Sequence, residues 1–246
     1  MKSLSELRVQ IFADGADKAS MLELHRQSYI KGFTTNPTLM RKAGVTDYEG
    51  FAREVLEHIQ DRPISFEVFA DDSAEMERQA HKIAGWGRNV YVKIPVTNTR
   101  GEPMHKLIRR LSGDGIRVNA TAVLALDQVR HLAQALRGGA LSYISVFAGR
   151  VADTGRDPVP LMKSALELLA PNTQLVWASP RELLNIFQAD EIGCHIITVT
   201  SDVLKKITLI GKDLHEYSLE TVRMFHDDAA RSEYSLETAP APAYSL

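Results

Sequence analysis

The chain is 246 residues long, 44% hydrophobic and 24% charged, which suits one sizeable core and not a disordered chain. A formal net charge of −2 argues against nucleic-acid binding and against a strongly basic membrane-surface protein. A single cysteine, Cys194, excludes an internal disulfide framework and any multi-cysteine metal site.

In chain order, short β-branched or aromatic runs at 8–13, 30–35, 64–70, 90–95, 116–121, 141–147, 174–179 and 195–200 read as strands. The stretches between them carry apolar residues at helical spacing, such as Phe51, Val55, Leu56 and Ile59, or Val129, Leu132 and Leu136. Asp72–Ser73, Asn36–Pro37 and Ser179–Pro180 read as helix starts, a cap residue or a proline opening each. Eight strand–helix units predict a parallel sheet with right-handed crossovers. In under 250 residues a closed barrel fits better than an open sheet, and neither GxGxxG nor GxxxxGK[ST] occurs. The expected fold is α/β: one (β/α)8 TIM barrel over 1–231, including an additional C-terminal helix at 213–231. A flexible tail is expected over 232–246. The segment EYSLET occurs twice, at 216–221 and 233–238, too short an echo to be a structural repeat.

Both faces of a barrel strand are buried, so ionisable residues there need a reason. Lys93 lies inside VYVKIP and Glu67 inside ISFEVFA. One reading is a structural ion pair. The other is a lysine whose desolvation favours the neutral amine, which attacks a carbonyl. Arginine does not suit that role, because it does not give up its proton. Asp14 follows the first strand and Asn36 the second, although a helix cap and a plain strand end would account for them separately. Asn119 and Thr121 share a face of the fifth strand, and Ser145 and Phe147 a face of the sixth. Arg150 follows strand six; Ser179 and Arg181 follow strand seven, where a helix start would favour a phosphate. In such barrels the C-terminal strand ends build the active site.

The histidines show no i, i+4 pair for a metal, so no metal is expected. Cys194 reads as a small buried residue, and Trp86 and Trp177 as packing residues. No signal-peptide core opens the chain and no apolar run approaches about 18 residues, so a cytoplasmic protein is expected, without membrane or nucleic-acid partners.

TTNPTLM at 34–40, VYVKIPVT at 90–97, NATAVLALDQ at 119–128 and SVFAGRVAD at 145–153 resemble signatures of the transaldolase family. So does WASPRELLNIFQADEIGCHIITVTSDVLKKI, and the resemblance spans about 9–210 in the family's order. It implies a (β/α)8 barrel, no cofactor, small-molecule sugar phosphates as ligands, a homo-oligomer and a setting in the pentose phosphate pathway. It further implies that Lys93 forms a Schiff base with a ketose phosphate and that Asp14 is the base for carbon–carbon cleavage. Glu67 and Thr121 would hold a proton-shuttling water. Asn36, Asn119 and Ser145 would grip the dihydroxyacetone hydroxyls, and Arg150, Ser179 and Arg181 the phosphate. The aldolase branch of the family typically has glutamine at Glu67 and tyrosine at Phe147, and generally lacks Asn119, so the resemblance points to the transferring branch. Val146 and the run Ser179-Pro180-Arg181 depart from the family pattern. An aldolase releasing free dihydroxyacetone and a catalytically lapsed sugar-phosphate-binding barrel are the alternatives.

Overall fold

Strand and helix alternate along the chain in the computed structural model, which describes residues 2–232 and 234–237. The first half runs β1 (Gln10–Asp14), α1 (Lys18–His25), β2 (Ile30–Thr34), α2 (Pro37–Lys42), α3 (Tyr48–His58), β3 (Ile64–Glu67), α4 (Ser73–Ala84) and β4 (Val90–Pro95). Then come α5 (His105–Gly113), β5 (Val118–Val123), α6 (Leu126–Leu136), β6 (Ser142–Val146), α7 (Ala148–Ala152), α8 (Pro158–Glu167) and β7 (Thr173–Trp177). The series ends with α9 (Leu184–Glu191), β8 (Ile196–Thr200), α10 (Ser201–Leu204) and α11 (Leu214–Arg231). Each strand pairs in parallel with the next, and β1 closes on β8. The protein is therefore a (β/α)8 barrel followed by a C-terminal helix.

Strand alternation sorts the core into two faces. Ile11, Phe33, Phe66, Val92, Ile94, Ala120, Ile144, Trp177 and Val199 belong to the large apolar cluster shared with the helices. Residues of the other parity face inward. Near the N-terminal end these are Phe12, Tyr91, Tyr143, Val176 and Ile196, a second apolar cluster that plugs the barrel. Tyr91 and Tyr143 stack there with centroids 4.0 Å apart. Gly32 makes room for the plug, since a Cβ would lie 2.6 Å from the Phe12 ring. Continuing the inward parity toward the C-terminal end gives Asp14, Thr34, Glu67, Lys93, Thr121 and Ser145, which all line one cavity.

Two compact units divide the chain: the barrel, Lys2–Ile207, and the segment from Thr208 onward. In the second, the Asp213 side chain caps α11 by accepting from the His215 and Glu216 N–H groups. No residue of α11 is buried, and Leu214, Leu219, Val222 and Phe225 are exposed. Most of the tail expected over 232–246, with both ends of the second EYSLET segment, lies outside the described residues.

Most strand ends shift by one or two residues from the sequence expectation, and two larger differences have a visible cause. β3 stops at Glu67 instead of running to residue 70, because the Gln79 side-chain oxygen of α4 accepts from both the Phe69 and Ala70 N–H groups. No helix starts at Ser179–Pro180. Asn185 Oδ1 accepts from the Arg181 and Glu182 N–H groups and holds an open turn, so α9 begins only at Leu184. The expected starts at Asp72–Ser73 and Asn36–Pro37 are those observed.

Candidate active site

A cavity of about 700 Å³ opens at the C-terminal ends of the strands, a volume suited to a small ligand. Of the residues expected from sequence it gathers Asp14, Asn36, Glu67, Lys93, Thr121, Ser145, Phe147, Arg150, Ser179 and Arg181. Asn119 is not on its wall. It is fully buried, donating to Ser65 Oγ at 3.0 Å and accepting from Ser145 Oγ at 2.7 Å. It therefore fixes the Ser145 hydroxyl from behind.

Lys93 sits in mid-barrel because β4 places it opposite Glu67 on one side and Asn119 on the other. Only 6% exposed, its Nζ donates to the Thr35 carbonyl at 2.8 Å and lies 3.0 Å from Glu67 Oε2. The buried Lys93 nitrogen is thus paired and hydrogen-bonded, as burial of a polar group requires. Thr121 Oγ1 is buried and has no hydrogen-bond partner among the described residues.

Asp14 ends β1 and accepts from Thr34 Oγ1 at 2.8 Å; Thr34 in turn shares a hydrogen bond with Thr198 Oγ1. Burial pushes the Asp14 carboxyl above the ordinary aspartate range. The Lys93 charge and the Thr34 hydrogen bond oppose the rise, and the Glu67 charge adds to it. Asn36 uses its side-chain oxygen to cap α2 at the Leu39 N–H, 3.0 Å away, with Pro37 at the first helical position. So the cap reading and a place on the cavity wall hold together.

The arginine side of the mouth is built from the start of α7 pressed against the turn after β7. A Cβ on Gly149 would lie 1.6 Å from the Ser179 carbonyl, so only glycine fits. Ser179 and Ala122, both on the cavity wall, have φ of 61° and 60°, the left-handed region that side chains rarely adopt. The Arg150 guanidinium lies 5.3 Å from the Phe147 ring centroid. Arg181 donates to Ser179 Oγ at 2.9 Å and forks onto Asp153, whose carboxyl these bonds hold below its usual range.

Sequence reading missed several polar groups here. Thr198, Thr200 and Asp202 line the cavity, and the two-residue spacing of the threonines on β8 was the available signal. Tyr48 of α3 was missed as well: its hydroxyl accepts from the Glu67 N–H at 2.8 Å and donates to the Glu67 carbonyl at 3.0 Å. Cys194 is buried, and its thiol is pushed up to about 12, so it offers no thiolate.

Fold and site together define a barrel of the aldolase type, with a strand lysine paired to one carboxylate and a second carboxylate on the same cavity wall. The chain matches the family described as Transaldolase/Fructose-6-phosphate aldolase over residues 11–238. It is 35% identical over 202 residues to a probable transaldolase of Dehalococcoides mccartyi, covering 81% of this chain and 90% of that protein. A probable transaldolase of Syntrophomonas wolfei is 34% identical, over 81% of this chain and 90% of that one. The chain belongs to the transaldolase/fructose-6-phosphate aldolase family. Among solved structures, a 3-hexulose-6-phosphate synthase from Salmonella typhimurium is similar with a TM-score of 0.55 at 14% identity, covering 79% of this chain and 89% of that chain. A putative deoxyribose-phosphate aldolase from Coccidioides immitis gives 0.57 at 12%, covering 85% and 87%. At such identities these two show the barrel fold alone.

Proposed function

We propose that the protein is a transaldolase, moving a dihydroxyacetone unit from fructose 6-phosphate or sedoheptulose 7-phosphate to an aldose phosphate through a Schiff base on Lys93. The observation that carries this is Lys93 itself: a buried mid-barrel amine, 3.0 Å from Glu67, on one cavity with Asp14. The amine adds to the ketose carbonyl, and the carbinolamine loses water to give a protonated imine. Glu67 and Thr121 relay the protons through a water; the unpartnered Thr121 hydroxyl supports that assignment. Asp14 then takes the proton of the C4 hydroxyl, the C3–C4 bond breaks and the aldehyde phosphate leaves. The electron pair goes into the enamine, for which the imine is the sink. Addition of the enamine to an acceptor aldehyde reverses these steps, and hydrolysis frees Lys93.

Asn36 and Ser145 hold the hydroxyls of the three-carbon unit, with Asn119 acting through Ser145. Arg150, Ser179 and Arg181 take the phosphate, which competes with Asp153 for the Arg181 fork.

Transfer is preferred over simple cleavage because Phe147 brings no acid to protonate the enamine. General acid catalysis contributes about 10²- to 10⁴-fold, so release of free dihydroxyacetone is expected to be at least about a hundredfold slower than transfer. Fructose 6-phosphate incubated with and without erythrose 4-phosphate measures the ratio. Turnover at a comparable rate without acceptor would make the protein an aldolase instead.

A further inference from the structure

We propose that Tyr48 is a positioning residue for the imine-forming step: its phenol replaces the strand partner that Glu67 lacks, and so leaves the Thr35 carbonyl to Lys93. The inference rests on the Schiff-base reading above and adds to it a residue from the helix layer that lies outside the cavity.

In the β2–β3 ladder the Phe33 N–H donates to the Pro63 carbonyl and the Thr35 N–H to the Ser65 carbonyl, at 2.9 and 3.1 Å. A parallel ladder repeats every two residues, so the next donor would be residue 37 and the next acceptor the Glu67 carbonyl. Residue 37 is proline and has no N–H to give. By the same register the Glu67 N–H would pair with the Thr35 carbonyl. That carbonyl instead accepts from Lys93 Nζ at 2.8 Å. Both backbone groups of Glu67 facing β2 are thus without a strand partner, and the Tyr48 hydroxyl serves both, accepting at 2.8 Å and donating at 3.0 Å.

One oxygen atom therefore stands where a strand would. It fixes the backbone from which the Glu67 carboxylate reaches Lys93, and it keeps the Glu67 N–H from competing for the carbonyl that holds the ammonium. The ring is itself held edge-on by Phe66, Phe69 and Trp86, with centroids 6.2, 4.8 and 5.6 Å away. Without the hydroxyl, the Glu67 N–H is expected to turn toward Thr35, shifting both members of the pair.

The test is a double-mutant cycle read on imine formation: the rate at which borohydride captures donor-bound enzyme in a single turnover. Tyr48→Phe keeps the ring and removes the bridging atom. It is expected to slow capture about tenfold or more, since small misplacements of reacting groups carry large rate penalties. Glu67→Gln is expected to slow capture as well. The double variant is expected to be no slower than Glu67→Gln beyond about twofold, because the two changes act on one element. Trp86→Phe, which keeps an aromatic ring against Tyr48 and leaves both hydroxyl bonds to Glu67 in place, is expected to capture at close to the unaltered rate. Melting curves accompany each variant, and if Tyr48→Phe does not fold, Tyr48→Gln takes its place in the cycle. Capture by Tyr48→Phe at the unaltered rate, effects that multiply in the double variant, or an equal loss in Trp86→Phe would each overturn the proposal. Unaltered capture by Glu67→Gln would instead bring down the assignment of Glu67 on which it rests.

Discussion

Lys93→Met is expected to abolish turnover, by on the order of 10⁶-fold or more, down to the uncatalysed background. No neighbouring group replaces the amine. Among the residues on the cavity wall it is the sole lysine; the other cations there are Arg150 and Arg181, which do not form imines. Methionine fills a similar volume, and the Glu67 side chain, left without its cation, keeps 17% exposure through which it can take up water or a proton. The variant is therefore expected to stay folded, and circular dichroism with donor-turnover assays checks both halves of the statement. Residual activity within about a hundredfold of the parent would show that the reaction runs without a lysine adduct, since loss of a nucleophile costs far more than loss of one oriented proton donor.

Asp14→Asn separates bond cleavage from imine formation. The amide keeps the shape and the contact with Thr34 but cannot take a proton. Transfer is expected to fall about 10²- to 10⁴-fold, while borohydride still captures the donor on Lys93. In the parent enzyme Asp14 acts as a base only when ionised. Because burial raises its pKa, the acid limb of the rate profile should lie above the ordinary aspartate range. Stability carries the opposite sign. A carboxyl whose folded pKa lies above its unfolded one favours the fold fully below the unfolded pKa, and that contribution is lost as pH rises through the folded one. At neutral pH the ionised group is thus a burden, and Asp14→Asn is expected to melt higher than the parent. A variant that neither captures donor nor transfers would place Asp14 in imine formation instead of cleavage.

How much of this the amino-acid sequence discloses depends on the range of each contact. Lys93 and Glu67 stand out because a charge inside a β-branched run contradicts its surroundings, and the barrel joins them across neighbouring strands. Asn36 and Asp14 stand out because strand ends in such barrels face the site. The eight-strand count follows from local periodicity alone, and every strand forms within a few residues of its expected place. The depth of Asn119 is different. Parity sets its face, but only the Ser65 and Ser145 hydroxyls, 54 and 26 residues away, decide that its amide is used below the cavity. Tyr48 is hidden for a related reason. On an amphipathic helix a tyrosine reads as core, and its link to Glu67 depends on Pro37 breaking a ladder that no local pattern displays. The late start of α9 likewise depends on Asn185 reaching back to Arg181.

Covalent attachment of donor carbon to Lys93 is the step on which the proposed chemistry turns, and one measurement addresses it most directly. The enzyme is incubated with fructose 6-phosphate, reduced with borohydride, digested and mapped by peptide mass. A reduced three-carbon or six-carbon adduct on the peptide carrying Lys93, absent when the donor is omitted, is the expected result. Turnover of the donor with no adduct at Lys93, or with the adduct on another lysine, would contradict it.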